Sequence, residues 1–180
     1  MKQITKVLLI GSSLWYLGEG MLGPLFTLFA QDIGGDILEI SWAWATYLFV
    51  LGILTIVFGK YADKWNKEKM MIWGYGLNAL FTFGYLLVSK PIHLFIIQAG
   101  LGLALALASP TWSDLFAKYH DKKNSGFVYG IANGVPSIVI GISIIIGGTI
   151  LHYFSYDVLF IVMGTLQVVA TIYQAKILKI

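Results

Sequence analysis

The chain has 180 residues, of which 58% are hydrophobic, 15% aromatic and only 12% charged, with a formal net charge of +3 and a mean hydropathy of +0.79. Soluble domains run at about 45–50% apolar and about 25% charged, so a soluble globular fold is excluded, and so is disorder, because so apolar a chain has no reason to stay solvated. The absence of cysteine removes disulfides, thiolate metal ligands and cysteine nucleophiles, and a charge of +3 spread over short loops makes no basic patch for nucleic acid.

A helix crossing a bilayer needs about 20 predominantly apolar residues. Taking charges and turn residues as connections, six apolar segments run at about 5–30, 40–59, 70–89, 91–117, 125–152 and 156–177. Open sheet edges cannot face lipid, and the period-two alternation of a membrane barrel is missing, so each segment is predicted to be helical. The expected fold is an all-α membrane protein, one domain over 1–180 with six transmembrane helices. The first segment resembles a signal peptide in having Lys2 and Lys6 ahead of an apolar run, but it is too long and Glu19 interrupts it.

All 12 basic residues are lysines. Lys2 and Lys6 precede segment 1, Lys60, Lys64, Lys67 and Lys69 follow segment 2, Lys118, Lys122 and Lys123 follow segment 4, and Lys176 and Lys179 end the chain. Lys90 alone falls on the other side. The positive-inside rule then puts both termini in the cytoplasm, in the plasma (inner) membrane of a prokaryote, and argues against insertion both ways up. Trp42, Trp44, Tyr153, Phe154 and Tyr156 sit at the outer ends and read as an aromatic belt at headgroup level.

Between segments 2 and 3 stands Gly59-Lys60-Tyr61-Ala62-Asp63-Lys64-Trp65-Asn66-Lys67-Glu68-Lys69, with the spacing G-x-x-x-D-K-x-N-K-x-K. It resembles the signature loop of the major facilitator superfamily, G-x-x-x-D-[RK]-x-G-[RK]-[RK]. Asn66 stands at the usual glycine, where it too tolerates a left-handed turn, and Glu68 breaks the basic pair. Gly18-Glu19-Gly20-Met21-Leu22-Gly23-Pro24 looks like the glycine and proline break of the family's first helix, and Gln98-Ala99-Gly100-Leu101-Gly102 resembles its R-x-x-Q-G-x-G stretch, with Ile96 at the arginine position. Gly147-Gly148 matches the close of the antiporter signature G-x-x-x-G-P-x-x-G-G, although Ser143 and Ile144 replace its Gly-Pro.

The resemblance covers the whole chain but only one six-helix half of the usual twelve-helix transporter. It implies a major-facilitator-type bundle whose substrate site lies between two halves near the midplane. A parallel homodimer would supply the second half with two-fold symmetry, packing segment 2 on segment 5 of the partner. Small-residue seams suit that contact: Ala45, Gly52 and Gly59, and Gly126, Gly130, Gly134, Gly141 and Gly148. The alternatives are seams that pack within one protomer, the amino-terminal half of a longer chain, and one member of a split pair.

The same architecture makes segments 1 and 4 line the cavity. Ser12, Tyr16, Glu19 and Gly23 share a helical stripe, as do Gln98, Ser109 and Trp112, with Pro110 a predicted kink and Asn133 on segment 5 a third contributor. The expected substrate site is Ser12, Tyr16, Glu19, Gln98, Trp112 and Asn133, with Trp15, Tyr16 and Trp112 able to stack on a solute. No lysine lies inside a span, which disfavours anionic substrates and leaves neutral sugars or polyols and organic cations open. Glu19, deep in the first segment, is the expected proton-coupling residue, and proton-coupled alternating access, with symport as the first form, is the expected activity. A cytoplasmic gate is expected at Gly59, Asp63, Lys64 and Lys67, with Asp114 as charge partner. The other readings are drug/proton antiport in efflux and a non-transporting assembly or receptor subunit. His93, His120 and His152 lie far apart near membrane surfaces, no metal or nucleophile motif is present, and neither an enzyme nor a cofactor is expected.

Overall fold

The computed structural model describes residues 2–61, 64–120 and 122–180. Among them every regular element is a helix: α1 Gln3–Glu19, α2 Leu25–Asp32, α3 Ile37–Tyr61, α4 Lys67–Gly84, α5 Pro91–Tyr119, α6 Ser125–Tyr153 and α7 Tyr156–Gln174, with short 3-10 turns at Tyr85–Leu87, Lys122–Asn124 and Ala175–Lys179. Five of these stretches are long and apolar enough to cross a membrane, beginning at Ile37, Lys67, Pro91, Lys122 and Tyr156. The protein is an integral membrane protein.

The first predicted span differs. It is not one helix from 5 to 30 but two, because Gly20, Gly23 and Pro24 interrupt the ladder between Glu19 and Leu25. Glu19 therefore ends α1 instead of sitting mid-helix. The remaining ends carry local stop and start chemistry. Gly34 takes φ +89°, the left-handed turn after α2 that a glycine permits, and the Gly35 N–H donates to the Ala30 carbonyl. Asp36 and Glu39 cap α3 reciprocally, at 2.8 and 3.0 Å. Pro91 opens α5. Asn66 is not in a left-handed conformation: its backbone is extended and its Oδ1 accepts from the Lys69 N–H at 2.8 Å, so it caps α4. Pro110 lies within α5 without ending it.

The helices pack in the order α3, α5, α4, α7, α1, α6, with lesser contacts of α6 with α7, α1 with α5 and α2 with α3. Lipid gives apolar faces no drive to associate, so close approach must come from small residues and dispersion. Gly102 of α5 supplies it: a Cβ there would lie 2.7 Å from the Tyr47 carbonyl of α3. One buried cluster joins Phe26, Phe29, Tyr85, Leu94 and Phe160; a second joins Leu8, Met71, Tyr75, Leu115 and Phe116. In α4 and α7 the polar residues Asn78 and Gln167 separate the stretches that feed these clusters. α3 and α6, the two ends of the packing order, leave most of their apolar surface uncovered.

Candidate substrate site

Two adjoining hollows open on the face made by α1, α5 and α6. The first, of about 220 Å³, is lined by Ser12, Trp15 and Tyr16 of α1, Ser109 and Trp112 of α5 and Asn133 of α6. The second, of about 350 Å³, adds Glu19, Gln98, Trp44, Tyr47 and Tyr85. Trp15, Tyr16, Leu105 and Ser109 border both, which makes them one continuous groove. All six residues singled out as substrate-contacting, Ser12, Tyr16, Glu19, Gln98, Trp112 and Asn133, line it. Gly23 lines it as well, but from the turn beyond α1.

The groove is rich in aromatic rings, and several of its polar groups are already engaged within the protein. Trp15 and Tyr16 meet edge to face at 4.9 Å, Trp112 stacks on Phe116 at 5.0 Å, and its indole N–H donates to the Leu8 carbonyl at 3.3 Å. Ser12 and Asn133 donate within their own helices, to the Leu9 and Tyr129 carbonyls. The buried Gln98 amide is different: its Nε2 has no hydrogen-bond partner, and the side chain borders the groove. Trp44, expected as a headgroup anchor, packs on Phe26 and Tyr47 at 5.5 Å each and belongs to the groove wall. Trp42, Tyr153 and Phe154 remain exposed at their helix ends.

Glu19 is held from behind. Its Oε2 accepts from Gln167 Nε2 of α7 at 2.9 Å and from Asn78 Nδ2 of α4 at 3.2 Å, and the two amides hydrogen-bond each other. Three helices thus converge on one carboxyl oxygen, while the residue still borders the groove. Sequence reasoning missed Asn78 and Gln167. The available signal was a lone amide in the middle of an otherwise apolar span, a position where an unpaired polar group is costly.

At the lysine-rich end, Lys67 Nζ lies 2.9 Å from Asp114 Oδ2 and ties the start of α4 to the last turns of α5. Asp63 falls outside the described residues, Lys64 is exposed, and Gly59 faces open space. Gly52, Gly126, Gly130, Gly134, Gly141 and Gly148 likewise meet nothing within 4 Å of a built Cβ. Gly147, next to Gly148, is instead seated on the Met21 carbonyl in the break after α1, and Gly20 of that break abuts Ser143 and Ile140. The seam glycines therefore do not pack helices within one protomer. His93, His120 and His152 stay apart, and no group of three or more metal-ligating side chains occurs among the described residues.

A family model described as Major Facilitator Superfamily matches residues 8–179. An uncharacterized MFS-type transporter of Methanocaldococcus jannaschii is 25% identical over 156 residues, 87% of this chain and 40% of that protein. Multidrug resistance protein MdtG of Klebsiella pneumoniae is 21% identical and that of Erwinia billingiae 18%, each over 96% of this chain and 43% of the relative. The chain thus spans about two fifths of the length of the curated relatives it matches. A match over nearly its entire length, on a chain built of membrane-crossing helices, leads to one conclusion: this protein belongs to the major facilitator superfamily of transporters.

Proposed function

We propose that the protein is a proton-coupled transporter of an amphipathic organic cation, working by alternating access as a parallel homodimer. The observation that carries the reading is the groove itself: rich in aromatic side chains, bordered by one carboxylate, and lined by no lysine. Aromatic faces and a lone carboxylate attract a positive, partly apolar solute, whereas nothing there would offset a carboxylate or phosphate. A carboxylate can neutralise a proton or a solute cation, but not both at once. Exchange of one for the other at Glu19 is then the coupling, and antiport replaces symport as the preferred form. Likeness to two proteins named for multidrug resistance supports export as the direction.

The dimer rests on a separate observation. Six glycines on α3 and α6 present bare backbone to the outside of the protomer, with Gly59 continuing the α3 row, and those two helices are the least covered. Small residues at seven-residue steps let membrane helices approach closely. In the dimer α3 of one copy lies on α6 of the other, and the two grooves face each other across the symmetry axis. α1 and α2 together make the sixth span, the lysine-rich ends face the cytoplasm of a prokaryote, and the Lys67–Asp114 pair closes the inner gate.

Trp15, Trp44 and Trp112 report on the site directly. Their fluorescence should respond saturably to tetraphenylphosphonium and not to a neutral disaccharide or a monocarboxylate. A saturable response to the monocarboxylate alone would overturn the substrate assignment.

A further inference from the structure

On the opposite side of α1 from the groove, the chain forms a second concave feature that transport does not use. Gln3, Lys6, Val7 and Ile10, one face of α1, meet Tyr173 of α7 and Lys176, Lys179 and Ile180 beyond it around a notch of about 450 Å³. Three lysines from two chain segments line it, and none lies within ion-pairing distance of a carboxylate among the described residues. Lys176 is steadied by the Tyr173 ring, whose centroid is 4.2 Å from its Nζ. The start of α1 adds to the positive potential, since no side chain caps it and no acid occupies its first turn. The rest of the wall is largely apolar: Ile10 is 45% and Ile180 51% exposed, Val7 is buried, and Ile10 lies one helical turn further into α1 than Lys6.

A cationic rim over an apolar slot, at the end of a membrane-crossing helix, has the polarity profile of an anionic phospholipid. We propose that this notch binds such a lipid from the leaflet on the lysine-rich side, its phosphate held by Lys6, Lys176 and Lys179 and its acyl chain lying along Ile10 and Val7. A lysine row placed only by the positive-inside rule needs no concavity, no convergence from two chain segments and no apolar continuation. The site lies where the turn after α7 packs beside α1, so an occupied notch also pins those two elements together. The proposal requires only that the helices cross a membrane, and it stands or falls separately from the transport reading.

Native mass spectrometry of the full chain, released from nanodiscs of phosphatidylcholine doped with phosphatidylglycerol, tests it. The wild-type chain should retain phosphatidylglycerol selectively. Replacing Lys6, Lys176 and Lys179 together by glutamine should cut that retention by at least about tenfold, since each lysine near an anionic surface contributes about a factor of five. Arginine at the same three positions should preserve it. Glutamine at Lys60, Lys118 and Lys122, which line no part of the notch, should leave it unchanged. Equal loss from both glutamine triples would reduce the effect to net charge and overturn the site. Displacement of the lipid by inorganic phosphate alone would also overturn it, because a free anion would then be the ligand.

Discussion

At the scale of single residues, the proposed coupling rests on Glu19, and its partners decide how. Both donors come from amides on helices behind the groove, so Glu19→Gln should keep the shape and one accepting oxygen while losing the exchangeable charge. We expect that variant to fold and to pass solute down its gradient, yet to show no pH-driven accumulation in proteoliposomes; concentrative uptake at the wild-type rate would remove Glu19 from the coupling. Gln167→Leu and Asn78→Leu test the support. Interhelical hydrogen bonds in membranes average about 0.6 kcal/mol and reach about 1.7, so each single change should cost about 1 kcal/mol. Because the two amides also bond each other, the double variant should lose less than the sum of the singles. Additive losses in thermal unfolding in detergent would show that the three groups do not act as one network.

At the scale of elements, two neighbouring glycines on α6 make opposite predictions. A Cβ on Gly147 would run into the Met21 carbonyl, whereas Gly148 meets nothing. Overpacking a tight contact costs about 1–3 kcal/mol, so Gly147→Val should lower the melting temperature of the protomer. Gly148→Val should leave the protomer intact and weaken self-association. Analytical ultracentrifugation in detergent beside a thermal melt separates the two, and identical behaviour would dissolve the distinction between inner and outer seam. The proposed gate pair belongs at this scale too. Lys67 and Asp114 are partly exposed, with side-chain exposures of 25% and 51%, so their pairing is worth at most about 1 kcal/mol. Asp114→Asn should shift the balance of inward and outward states without unfolding the protein; cysteine accessibility at the two faces reads the shift, and unchanged labelling would take this pair out of the gate.

At the scale of the whole molecule, the membrane class, the long helices and the groove-facing positions were legible because lipid imposes them residue by residue. Long apolar runs, lysines gathered in the loops and a few polar side chains at helical steps are local patterns. What stayed hidden depended on distance along the chain or on backbone conformation. Glu19 and Gln167 are 148 residues apart, and no spacing rule joins them. The role of Asn66 turned on its φ and ψ, which placed it as a helix cap. Whether Gly147 and Gly148 face inward or outward required the position of the break after α1, since both are small residues on one turn. The break itself was written in Gly20, Gly23 and Pro24, but its consequence, an acid at a helix end with amides behind it, was not. The proposed assembly from two copies rests on the open glycine faces of α3 and α6. Proteoliposomes holding this chain as their only protein, charged with a pH gradient and offered tetraphenylphosphonium, test that account most directly. Concentrative, gradient-dependent movement that disappears in Gly148→Val is the predicted result, and a purified chain that stays a single copy and moves no cation would contradict it.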